Sequence, residues 1–148
     1  MKSNGTILLV EDDSTDVLLL QRMFRQVQIT QQLFVAVNGM EAIDFLAKAD
    51  GAHHPEKNPL PQLILLDLKL PLKSGLEVLS WIRAQPVVKR IPVIVFTSSL
   101  DRSDVNGAYE LGANGYFLKT GSLDKMRQLV VLWRDHWLVN NQNPDLVP

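Results

Sequence analysis

Short apolar runs recur along the chain, each about as long as a strand and each bounded by loop chemistry: "TILLV" (6–10), "LFVAV" (33–37), "LILLDL" (63–68), "PVIVF" (92–96) and "GYFLK" (115–119). The second, fourth and fifth are rich in β-branched or aromatic residues, and all five read as strands. Between them the apolar period changes to three or four residues. In "STDVLLLQRMFRQVQ" Val17, Leu20, Phe24 and Val27 form one stripe, and Ser14 stands where a helix cap belongs. Met40, Ile43 and Leu46, bordered by Phe45, define a second helix, and Leu76, Leu79 and Ile82 a third. "SDVNGAYELG" is a weaker helix because it contains Gly107, and Gly112 is a natural stop. "SLDKMRQLVVLWRDHWLVN" is the last and longest.

This is a strand-helix unit repeated five times. Strands without alternation, separated by helices, imply a parallel sheet covered on both faces, because each crossover helix must bury its stripe against the sheet. Right-handed crossovers then favour a doubly wound five-stranded α/β fold of flavodoxin-like order. A single domain spanning 1–148 is expected, with its core over about 6–139 and a loosely ordered polar tail at 140–148. The long loop at 49–62 carries one glycine and three prolines, and its His53-His54 pair lacks any third ligand that would make it a metal site.

Fifteen basic against sixteen acidic residues leave a formal net charge of -1, so no global field draws the chain to nucleic acid or to an anionic membrane. The chain has no cysteine, which excludes disulfides, thiol nucleophiles and thiolate metal sites. No apolar run approaches a signal-peptide core or a membrane span, and a cytoplasmic protein is expected.

The carboxyl ends of the strands are where such sheets carry their working site. The first strand ends in Glu11-Asp12-Asp13, and Asp67 follows four apolar residues at the end of the third, its neighbour in the expected order. The plainer reading is that acids stand at strand ends because they are exposed there, with Asp13 doing no more than starting the next helix. Converging on one crevice, however, these carboxylates would repel unless a hard divalent cation such as magnesium neutralised them. The fourth strand delivers Thr97 and Ser98 and the fifth Lys119. A metal site, a carboxylate, a hydroxyl and an ammonium at four strand ends describe a site for a phosphoryl group on Asp67, with Thr97 and Lys119 engaging its oxygens.

With these residues in place the chain resembles the receiver domain of bacterial two-component response regulators, from about Thr6 to about Val139. The resemblance is carried by "LLVEDD", by "DLKLPLKSG" with Pro71 and Gly75 four and eight positions after Asp67, by "VFTSS" and by "GYFLK". It implies that Asp67 takes a phosphoryl group from a phosphohistidine on a sensor histidine kinase, with Mg2+ or Mn2+ bound. Glu11 and Asp12 match the acidic pair, Asp12 being the more direct ligand, and Lys69 matches the position whose backbone carbonyl binds the metal. Thr97 and Lys119 match the hydroxyl and lysine that engage the phosphoryl group. Tyr116 matches the aromatic switch residue, expected to turn inward as phosphorylation draws Thr97 in.

Thr120 stands where the family commonly has a proline joined by a cis bond, and a non-proline cis bond would cost about 2.5 to 4 kcal/mol, so trans is expected. That departure, the long loop before the third strand and the lack of any appended DNA-binding or enzymatic domain resemble the stand-alone regulators that serve cyanobacterial and other bacterial phytochrome kinases. In the last helix Met126, Val130, Trp133 and Trp137 share a stripe, widened by Leu129, Leu132 and Val139. Two tryptophans four residues apart exceed what one sheet face needs, which suggests a homodimer through the fourth and fifth helices and the fifth strand. Trp81 on the third helix reads as core. Three rivals are weaker. An aspartate-based phosphatase wants a second carboxylate two residues after the first, where Lys69 stands. A flavin mononucleotide module would not place three acids after its first strand. A pseudo-receiver would not need every site position filled with a competent residue.

Overall fold

The computed structural model describes residues 5–51 and 59–146. His53 and His54 lie outside the described residues. Five strands form one parallel sheet: β1 (Thr6–Val10), β2 (Gln32–Ala36), β3 (Leu63–Leu66), β4 (Val93–Thr97) and β5 (Gly115–Leu118), in the order β2-β1-β3-β4-β5. Five helices alternate with them: α1 (Ser14–Gln26), α2 (Gly39–Asp50), α3 (Gly75–Arg83), α4 (Arg102–Glu110) and α5 (Leu123–Trp133). This is the doubly wound, flavodoxin-like order expected from the apolar pattern. No described helix is long and apolar enough to cross a membrane.

The three inner strands are apolar at nearly every position because helices cover both faces. On one face Leu8, Val10, Ile64, Leu66, Val93 and Val95 pack with Ala42 and Leu46 of α2, with Val78, Leu79 and Ile82 of α3, and with Ala108 of α4. On the other, Ile7, Leu9, Leu63, Leu65, Ile94 and Phe96 meet Leu20, Met23 and Phe24 of α1 and Met126, Val130 and Trp133 of α5. Trp81 is half-buried at the margin of the first core.

Helix ends differ from the simplest reading in two places. The cap of α1 is Asp13, whose carboxylate accepts from the amides of Thr15 and Asp16; Ser14 is already inside the helix. An ionised side chain there also complements the helix dipole. The last helix changes pitch after Trp133 and continues as a π-helical segment over Arg134–Asn140. Gly112 does terminate α4: its φ of +97° is a left-handed conformation that favours glycine. Beyond the π segment the described residues 141–146 form no helix or strand, yet Leu146 packs against the first core and the Asp145 carbonyl accepts from Arg90 at 3.1 Å.

The tryptophan stripe is corrected by the packing. Met126, Val130 and Trp133 face the sheet and are fully enclosed within one chain, so they cannot form the dimer contact expected of them. Trp133 fills the space between Phe96 and Phe117, edge-on to both at ring-centroid distances of 5.1 and 5.6 Å. One sheet face therefore does need this tryptophan, while Trp137, half-buried at the margin, packs on His136. Trp133→Ala should cost about 3 to 5 kcal/mol of unfolding free energy, measured by urea titration, and the loss should not depend on protein concentration.

Candidate functional site

The site is built by backbone hydrogen bonds that carry the sheet pairing one residue past the strands. The Asp67 amide donates to the Val10 carbonyl at 3.0 Å, the Glu11 amide to the Ala36 carbonyl at 2.9 Å, and the Lys119 amide to the Thr97 carbonyl at 2.8 Å. Each functional side chain thus leaves a rigid element at the same end of the sheet. Behind Asp67 the chain turns sharply, and Gly75 packs so closely on this turn that a Cβ there would lie 2.2 Å from the Asp67 carbonyl oxygen. Leu72, in the same turn, is held at a φ of +69°, an uncommon conformation for a branched residue.

The Lys119 ammonium is shared by three carboxylates: Glu11 Oε1 at 2.6 Å, Asp16 Oδ2 at 2.8 Å and Asp67 Oδ2 at 2.8 Å. The other oxygen of Asp67, Oδ1, accepts from the Thr97 hydroxyl at 2.7 Å and from the Lys69 amide at 3.2 Å. Thr97 is enclosed, so its hydroxyl needs an internal acceptor, and Asp67 supplies it. The inward position of Thr97, expected to follow phosphorylation, therefore exists already. Tyr116 is half-buried with its hydroxyl donating to the Ser99 carbonyl at 2.7 Å. Ser98 is exposed. No described peptide bond is cis, as expected at Lys119-Thr120.

Burial opposes ionisation of Asp67, but hydrogen bonds from Lys119 and Thr97 outweigh it and hold the carboxyl below the ordinary range. Asp67 is thus an ionised carboxylate at neutral pH. Glu11 goes the other way: desolvation, with Asp67 adding repulsion, outweighs the bond from Lys119 and pushes it up to about 7. Burial alone would weaken the protonated form of Lys119, but its bonds to Asp16, Asp67 and Glu11 raise its affinity for the proton.

Carboxylate oxygens of Glu11, Asp12 and Asp67 lie within 4.8 Å of one another, with Asp12 exposed and the other two buried. Three hard oxygen donors opening to solvent on one side fit a divalent cation of the magnesium or manganese type, with water completing its shell. The expected residues Glu11, Asp12, Asp67, Thr97 and Lys119 are therefore brought together. Two acids escaped the sequence reading. Asp16 was hidden in the first turn of α1, although a fourth acid in "EDDSTD" was a visible signal. Asp104 lies 35 residues from Lys69, and its carboxylate accepts from that ammonium at 3.1 Å and from the Ser99 hydroxyl at 2.5 Å.

A family model described as the response regulator receiver domain matches residues 7–131. The chain is 41% identical over 132 residues to response regulator Rcp1 of Synechocystis sp., covering 89% of this chain and 88% of that protein. Its fold is similar to the crystal structure of the phosphorylated cyanobacterial phytochrome response regulator RcpA, with a TM-score of 0.87 and 34% identity over 97% of this chain and 100% of that one. The Mn(2+)-bound form of Rcp1 gives a TM-score of 0.84 and 38% identity, over 95% and 99% of the two chains.

A raised carboxyl pKa has a defined consequence for stability. Between about 4.5 and about 7 folded Glu11 retains a proton that the unfolded chain has lost, so stability falls as pH rises through that window. In metal-free protein, Glu11→Gln should remove this fall, shifting the wild-type-minus-variant stability by on the order of 1 to 3 kcal/mol between pH 4.5 and 7.5. Denaturant titrations at both pH values measure it; parallel pH profiles in the two proteins would refute the assignment.

Proposed function

The chain belongs to the response regulator receiver family, and on that premise we propose that it accepts a phosphoryl group on Asp67 from a sensor histidine kinase of phytochrome type in two-component signalling in the cytoplasm. The observation that carries this reading is the buried, ionised Asp67 carboxylate with Lys119 on one oxygen and Thr97 on the other. The similarity to Rcp1 and to the phytochrome response regulator RcpA supports the kinase class.

In the proposed transfer a carboxylate oxygen of Asp67 attacks phosphorus, the bond from phosphorus to the kinase histidine nitrogen breaks, and the imidazole leaves with that electron pair. The product is a mixed anhydride on Asp67. Lys119 pairs with a phosphoryl oxygen and offsets the charge that Asp67 no longer carries alone. The Thr97 hydroxyl, now on Oδ1, is within reach of a phosphoryl oxygen after a small shift. A magnesium ion held by Glu11, Asp12, Asp67 and the Lys69 carbonyl would neutralise charge on the transferring oxygens. Hydrolysis by water returns Asp67 to the carboxylate, so the state is temporary.

A homodimer through α4, β5 and α5 is the second contact of this reading, with different residues from the buried stripe. β5 is an edge strand, and Tyr109, Leu118 and Leu132 are exposed on these elements. Edge pairing and exposed apolar side chains both favour a partner there.

Incubation with acetyl phosphate and magnesium should add one base-labile phosphoryl group by intact mass, and Asp67→Asn should add none. Labelling of that variant, or none of the wild type by acetyl phosphate or a phosphorylated phytochrome kinase, would refute the acceptor. Leu132→Asp should raise the dimer dissociation constant at least tenfold by sedimentation velocity without lowering the melting temperature; an unchanged constant would place the dimer elsewhere.

A further inference from the structure

Between β4 and α4 the loop of residues 98–101 is held by side chains that the phosphoryl-transfer reading does not use. Asp101, the residue preceding α4, makes no side-chain cap bond to the helix. The first turn is held instead by Asp104, whose carboxylate accepts from the Ser99 hydroxyl at 2.5 Å and from the Lys69 ammonium at 3.1 Å. Asp104 thus fastens the loop after β4 to the loop after β3. Ser99 is gripped a second time at its main chain, where its carbonyl accepts from the Tyr116 hydroxyl at 2.7 Å. The Asp101 amide also donates to the Ser99 hydroxyl oxygen at 3.3 Å. Two residues before this doubly held serine, Thr97 already donates to Asp67.

We propose that Asp104 is a positioning residue that pre-organises the site for a phosphoryl group, by holding Ser99 and Lys69 so that Thr97 and Tyr116 stand in their inward positions before the group arrives. The inference rests on the receiver reading and deepens it. Asp104 does not touch the reacting atoms. It reduces the ordering left to do on phosphorylation, which is the general benefit of a preformed site. Only about a sixth of its side chain is exposed, so both bonds are sheltered enough to matter, although the Lys69 partner is largely solvated.

Electrostatics alone make the opposite forecast. Asp104 is an anion near a site for an anionic group, so its removal by field effects would strengthen phosphoryl binding. Pre-organisation requires that it weaken. The probe is beryllium fluoride with magnesium, a phosphoryl analogue, titrated against the full chain with tryptophan fluorescence and amide NMR spectra as readouts. Asp104→Asn and Ser99→Ala should each raise the half-saturating concentration roughly three- to tenfold, the range expected for losing one charge-assisted hydrogen bond and a partly exposed ion pair. Their double variant should be little worse than the worse single, since both break one linkage. Ser99→Thr keeps the hydroxyl and should restore wild-type binding. Unchanged or lower half-saturating concentrations in both single variants would overturn the proposal while leaving the receiver reading intact. A wild type that binds no beryllium fluoride would overturn the proposed phosphoryl-acceptor function and this inference with it.

Discussion

One ammonium facing three carboxylates is the interaction around which this molecule is arranged. Lys119 is brought by β5, Asp67 by β3, Glu11 by the end of β1 and Asp16 by the first turn of α1. No local segment could make this cluster, because its members are up to 108 positions apart in the chain. The strand order β2-β1-β3-β4-β5 places β1 and β3 side by side, with β4 between β3 and β5. The lysine must therefore reach across β4, and Thr97 at the end of that strand lies beneath the reach. Burying one cation among several acids is a poor route to stability, since desolvation rivals the attraction gained. Its retention points to chemistry, as strained or costly groups in sites commonly do.

The same excess of negative charge explains why two neighbouring acids diverge. Asp67 takes Lys119, the Thr97 hydroxyl and the Lys69 amide and stays ionised; Glu11 shares Lys119 but has no hydroxyl donor, feels the charge of Asp67, and is pushed by burial towards neutral pH. A divalent cation beside Glu11 and Asp12 would relieve that tension, and so couples metal affinity to proton release. The proposed acceptor carboxylate and the proposed metal ligand are separated by environment, not by residue type.

The fold was legible because the apolar periods are consistent: five short runs of strand length, with helical stripes between, the weakest of them the glycine-bearing "SDVNGAYELG". The strand-end residues were legible for the same reason, since a charge placed where a buried run stops is out of keeping with its surroundings. What was not legible depended on direction in space. Trp133 and Trp137 are four apart, so a helical stripe reads them alike, yet the first is enclosed between Phe96 and Phe117 and the second lies at the margin where the helix changes pitch. Asp16 and Asp104 look like ordinary first-turn acids that favour a helix start. Only the tertiary placement turns one towards Lys119 and the other towards Lys69. Asp13, by contrast, caps the helix with its side chain and reaches the site only through its main chain, its amide donating to Glu11 Oε2 at 3.1 Å.

The loops around Asp67 follow from the needs of a site that must be both accessible and fixed. Gly75 allows the turn after β3 to close directly onto the Asp67 carbonyl, where any side chain would collide with main chain. That closure sets where Lys69 emerges, and Lys69 then spans to α4. The loop after β4 has no regular hydrogen-bonding pattern of its own, so its shape depends on Ser99, Asp104 and Tyr116. Under the proposed function, a shift at Asp67 would be passed through Thr97 to a loop held at only a few points, with α4 and β5 at the other end of those holds. On that proposal the arrangement would carry a local change of charge to a distant surface, because the intervening contacts are few and discrete, so that each is either made or lost.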